Sequence, residues 1–268
     1  MKPATTAFQW ARFKRLLRAQ WAEQRRGYGR FWLVVAAIHG LVMLISLMVS
    51  DGTAGQTSTQ ALFFWLGLFA SGIIFSGLYF SALRRPESTL LLLTRPATAL
   101  EKWLSATLFI LLAWPLAYTL SATLINALAS NIGYLYHSSF SKEASANAEE
   151  FALFIPLLQS SNSTLFSHFS LLLLYTGLSG YALFGGIYFR KNAGIKTGAL
   201  AFVIFLLTVF ISASILPPSI GALMWWKSNS IATQLFFRQW LANLLFWLVL
   251  PALIWLCALL ALREKDLT

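Results

Sequence analysis

Charge is what this sequence has least of. Only 11% of its 268 residues are charged, against about a quarter in a typical soluble domain. A water-soluble fold of this length could not cover its surface with so few, so that class is excluded. There is a single cysteine, Cys257, and an intramolecular disulfide needs two. Three histidines, His39, His137 and His168, without a His-Glu-x-x-His run or any zinc or haem ligand spacing, predict no metal site. The Gly-x-x-x-x-Gly-Lys-Ser/Thr phosphate loop is also missing, so no ATP hydrolysis is expected in this chain.

What is present is hydrocarbon. Hydrophobic residues make up 58% of the chain and aromatics 15%, with eleven tryptophans, a residue that gathers at membrane interfaces. About twenty apolar residues in a helix cross the hydrocarbon of a bilayer. Runs of that kind cover 31–49, 61–83, 103–125, 168–189, 197–216 and 241–262, and none contains Asp, Glu, Lys or Arg. The fold expected is an all-α integral membrane protein with six transmembrane helices, organised as a single domain over 1–268. The first thirty residues lack the layout of a cleavable signal, so the first span is expected to be retained.

The basic residues fall unevenly among the connecting segments. Eight precede the first span, four lie between spans two and three, three between spans four and five, and two after span six. The alternate segments hold only Lys142, Lys227 and Arg238. The positive-inside rule then places both termini in the cytoplasm and 126–167 outside. A net charge of +11 otherwise suggests nucleic acid, but here the basic residues flank membrane spans, set topology and attract anionic lipid. No nucleic-acid partner is expected.

Within the lead-in, 1–30, Trp10, Phe13, Leu17 and Trp21 recur at steps of three and four among Arg and Lys. That spacing predicts an amphipathic helix lying in the cytoplasmic interface. Gly67/Ser71, Gly72/Ser76 and Gly77/Ser81, with Gly177, Gly180, Gly185 and Gly186, permit close helix packing. Pro115 and Pro251 are expected to kink spans three and six. The 126–167 connection is polar and net negative at its centre, through Glu143, Glu149 and Glu150. Pro217-Pro218 interrupts an apolar outer segment expected to dip back into the bilayer.

No catalytic constellation emerges. Glu149-Glu150 lacks the nearby Arg that comparable intramembrane protease sites have, and His39, inside span one, is expected to be hydrogen-bonded within the bundle. Spans without a carboxylate or a Lys or Arg argue against an ion-coupled carrier. A transporter of this kind must draw its energy from a partner. The alternatives are a membrane scaffold anchoring a cytosolic protein and, more remotely, an intramembrane hydrolase.

The run "LLLLTRPATALEKWLSATL", 90–108, resembles the cytoplasmic loop of bacterial ABC-2-type permeases, in which a Leu-rich stretch, Pro and small residues lead through a Glu-Lys element into span three. The ending "ALLALREKDLT" is similar to the charged tail that closes many of them. The resemblance implies the permease subunit of an ABC exporter in the bacterial inner membrane, moving a lipid, amphipathic peptide or other apolar compound. It further implies a homodimer that docks two cytosolic ATPase subunits, which bind the ATP. By the same resemblance the loop 84–102 is the coupling element, matched at Arg84, Arg85, Glu87, Thr94, Arg95, Glu101 and Lys102. These charges are expected on an exposed cytoplasmic face, where reversal at Arg95 and Glu101 weakens docking and spares folding. The outer connection 126–167 is longer and more polar than the family leads one to expect.

Overall fold

The computed structural model describes residues 8–50, 53–80, 97–140, 151–156, 162–189, 193–194, 196–200, 203 and 245–267. These are helical, with no strand among them. The helices are α1 (Trp10–Val49), α2 (Thr57–Tyr79), α3 (Ala99–Leu108), α4 (Trp114–Phe140), α5 (Asn162–Tyr188) and α6 (Leu250–Leu267). A 3-10 turn, Thr53–Gly55, precedes α2, and π-helical turns at Phe109–Ala113 and Leu245–Val249 lead into α4 and α6. Five stretches are long and apolar enough to cross a membrane: Trp10–Val49, Thr57–Tyr79, Ala99–Leu135, His168–Tyr188 and Trp247–Lys265. Several apolar helices of this length fit a multi-pass membrane protein. The fifth expected span, 197–216, lies almost wholly outside the described residues, as does Pro217-Pro218.

Two boundaries differ from the expectation. The lead-in is not a separate interfacial helix, because α1 runs unbroken for 40 residues, about 60 Å at 1.5 Å per residue. That is twice the hydrocarbon thickness of about 30 Å, so the arginine-rich first half projects beyond it. No proline interrupts residues 10–49, and extending a helix is easier than nucleating a second. Of the expected stripe, Phe13 is buried and Leu17 half-buried, while Trp10 and Trp21 remain exposed. The third span does not stop at Ile125; α4 continues to Phe140, which shortens the connection to α5.

Both prolines stand beside irregular turns. Each π-helical turn ends two residues before one, at Ala113 before Pro115 and at Val249 before Pro251. A proline in a helix has no N–H to donate and its ring presses on the carbonyl four residues back. Widening the preceding turn relieves that pressure, as where the Trp114 N–H reaches the Phe109 carbonyl, five residues back.

The chain divides into two compact units, one of Met1–Phe75 with Pro96–Leu172 and the other of Ser76–Arg95 with Leu173–Thr268. In the first, α1 and α3–α4 run parallel. Gln20 meets Ser105, Trp21 stacks on Phe109, and the Trp32 indole donates to the Ala117 carbonyl at 3.1 Å. Against both, α2 runs the opposite way, with Phe75 on Phe31 and stacked on Trp114 at 4.9 Å, and Gly67 near His39 of α1. Across α3 and α4 the two faces are sorted by size and polarity. Leu108, Leu112, Leu116, Leu120, Leu124 and Leu128 are exposed, while Ile110, Trp114, Tyr118, Ala122, Asn126 and Ala129 are buried. Leucine faces outward and the polar groups face inward, the reverse of a soluble helix.

In the second unit α5 and α6 run parallel at close range. A Cβ at Gly180 would lie 2.6 Å from the Trp255 indole nitrogen, which donates to the Thr176 carbonyl at 3.0 Å. At the last turn of α5, the Ile187 carbonyl accepts from Lys265 of α6, a cation at a helix C-terminus. Gly186 meets the Gly77 backbone, where a Cβ would come within 2.6 Å of the carbonyl oxygen. These glycines therefore act in packing, as their spacing suggested.

Candidate functional site

Two polar constellations stand out in the first unit, one at the helix starts and one at mid-helix. The first begins with a capping box. Thr98 is the N-cap of α3; its side chain accepts from the Glu101 N–H at 3.3 Å, and its own N–H donates to the Glu101 carboxylate at 3.0 Å. That pattern satisfies backbone donors otherwise left over at a helix start. The same carboxylate also reaches α1. It accepts from the N–H of Gln9, the α1 N-cap, at 3.0 Å, and from Arg12 Nε at 2.9 and 2.7 Å. One carboxylate thus sits at two helix N-termini at once, where both helix dipoles favour negative charge.

Glu101 is fully buried and Lys102 only 3% exposed. The expectation of charges on an open face fails here. Glu101 is held inside the protein by Arg12, Gln9 and Thr98, so reversing its charge strikes the fold itself. Burial alone would raise the Glu101 carboxyl, but these hydrogen bonds and the Arg12 charge hold it below the ordinary carboxylate range. The group lies ahead of the apolar run that opens at Trp103. Arg84, Arg85, Glu87, Thr94 and Arg95 lie outside the described residues, and so do Glu149 and Glu150.

The second constellation centres on His39, buried near the middle of α1's apolar half. Its Nε2 lies 3.1 Å from Asn126 Oδ1 and its Nδ1 3.2 Å from the Tyr118 hydroxyl, which is also 3.2 Å from the Phe64 carbonyl. These contacts tie α1, α2 and α4 together. Three contacts need three protons, and a neutral imidazole with one phenol carries two. Turning the Asn126 carboxamide so that Nδ2 faces His39 supplies the third. Nδ2 is otherwise a buried donor with no partner among the described residues. The proton order is then Asn126 to His39, His39 to Tyr118, Tyr118 to the carbonyl, with every group neutral as hydrocarbon surroundings require.

Gly67 makes this geometry possible, since a Cβ there would lie 2.0 Å from the Tyr118 hydroxyl. One turn further on, Ser71 accepts from the Trp114 indole at 3.3 Å and donates to the Gly67 carbonyl at 2.6 Å. At the far end of α2, buried Gln60 donates to the Gly55 carbonyl at 2.6 Å and accepts from the Phe154 N–H at 3.0 Å, which folds residues 151–156 onto the helix start.

No protein-family model, curated protein or solved structure matches this chain.

Sequence reasoning placed His39 in a bundle network and singled out Glu101 and Lys102. It missed Arg12, Tyr118, Asn126 and Gln60. A usable signal was there for two of them. Trp114, Tyr118, Ala122 and Asn126 recur every fourth residue between the outward leucines, which carries the buried face past Ile125.

Proposed function

We propose that this chain is the membrane-spanning subunit of an ATP-driven exporter of the ABC-2 type, with the loop 84–102 as the element through which a separate ATPase acts. The observation that carries the proposal is the Glu101 junction. The loop delivers its C-terminal end to the Thr98 cap, and Glu101 joins that cap to the start of α1. A push on the loop is therefore applied to α1 and α3 together, as to a rigid body. Charge-assisted hydrogen bonds make such a joint stiff.

In this proposal six spans cross the bacterial inner membrane, the fifth at 197–216, and both termini are cytoplasmic. The segregation of basic residues supports that orientation, and so do the parallel pairs α1 with α3–α4 and α5 with α6. Two copies of the chain enclose the path and two ATPase copies bind the ATP. The cargo is a lipid, an amphipathic peptide or another apolar compound, in keeping with spans that carry no carboxylate or basic side chain.

The test is co-expression with candidate phosphate-loop ATPases from the same genome, purification into lipid discs, and measurement of complex mass and ATP turnover. The expected result is a complex of two and two, whose turnover falls when Arg84, Arg85 and Arg95 are replaced by Glu. A stable chain that never retains the ATPase overturns the proposal and favours a scaffold.

A further inference from the structure

We propose that the outer flank of the α1–α2 pair holds one acyl chain of a bilayer phospholipid in a fixed groove. The site needs only the bilayer, so it stands or falls independently of the ATP-driven reading. A cavity of about 350 Å³ opens there, walled by Val35, Ile38 and Val42 of α1 and by Leu66, Ala70 and Ile74 of α2. Ile38, Val42, Leu66 and Ile74 are exposed, on helices long and apolar enough to cross a membrane. The opening therefore faces hydrocarbon.

The floor is Gly67, with the Tyr118 ring and His39 behind it. The polar atoms beneath are turned away from the opening. Tyr118 is engaged by His39 and the Phe64 carbonyl, and Ser71 by Gly67 and Trp114. An occupant thus finds hydrocarbon and no unused donor or acceptor. That disfavours a peptide backbone, whose N–H and C=O groups need partners at this depth, and equally a charged headgroup. A polymethylene chain needs neither.

Dimensions agree. From Phe63 to Ile74 the groove follows α2 for about 16 Å, roughly half the hydrocarbon thickness, so a lipid anchored in one leaflet can lay its distal chain along it. The hollow also has a cause. Phe63, Leu66 and Ile74 are large, whereas Gly67 and Ala70 between them put little side chain on the groove. Ala70 is small and exposed. A rigid dent between bulky neighbours gains dispersion contacts when a chain fills it.

The experiment uses the full chain in lipid discs doped with a phospholipid that carries a photoreactive diazirine near the end of one acyl chain. After illumination, adducts are mapped by mass spectrometry. The expected result is labelling of 35–42 and 63–74 that exceeds labelling of the exposed leucine face, 112–128, by roughly threefold. Ala70→Trp should abolish that excess and leave 112–128 unchanged, while Ala70→Ser keeps it. Labelling spread evenly over both faces, groove peptides protected by another protein surface, or an excess that survives Ala70→Trp each overturns the site. The wild-type label distribution decides the matter even if Ala70→Trp fails to fold.

Discussion

Glu101→Gln tests the junction between α1 and α3. The wild-type carboxylate is fully buried and Arg12 is 17% exposed, with contacts at 2.7–3.0 Å from Arg12, Gln9 and Thr98. A glutamine keeps the shape but offers one acceptor oxygen in place of two, carries no charge, and puts an amide N–H₂ among the donors. Removing one partner of a buried ion pair costs about 3–5 kcal/mol. Because Arg12 retains some contact with water, the lower end, about 3 kcal/mol, is expected. Unfolding free energy in mixed micelles is the measurement, run as a double-mutant cycle with Arg12→Met. The pair should couple by about 1.5 kcal/mol or more, since each single change leaves the other group mismatched. A Glu101→Gln protein within about 0.5 kcal/mol of wild type, with no coupling to Arg12, refutes the junction. It would also remove the mechanical support for the proposed coupling route.

Because the Glu101 carboxyl is held below its ordinary range, its contribution is fully present above the unfolded value of about 4.3 and is lost as pH falls through the lower folded value. The stability gap between wild type and Glu101→Gln should therefore stay constant from about pH 7 to 5 and close below about pH 4; a gap unchanged in acid contradicts this. Gly67→Ala should destabilise by about 1–3 kcal/mol by driving its Cβ into the Tyr118 hydroxyl. Tyr118→Phe in the same chain should recover part of that loss, and no recovery would show the clash lies elsewhere. On a Cys257→Ala background, an impermeant thiol reagent should label a cysteine at Ser145 in intact cells but not one at Ala97. The reverse pattern overturns the orientation.

Hydrophobicity and charge alone determined that these segments are helices, that they are long enough to span a bilayer, and that their basic flanks alternate. Those properties follow from chain-local physics. Backbone groups in hydrocarbon must be satisfied within the segment, and a run of uncharged residues advertises itself without any knowledge of its neighbours. Partners are another matter. Asn126 next to a nominal span end reads as a loop residue until α4 is seen to continue to Phe140 and bring it to His39. Glu101 beside Lys102 reads as a surface pair until Arg12, 89 positions earlier, is found on the same carboxylate. Gly67 reads as one small residue among many until Tyr118 fills the space of its missing Cβ. In each case the deciding contact joins residues far apart in the chain. Their meeting depends on the register of α1 against α3–α4 and on the widened turn before Pro115. Only the tertiary structure sets that register, because side-chain volumes across two helices must fit at once and neither helix specifies the other.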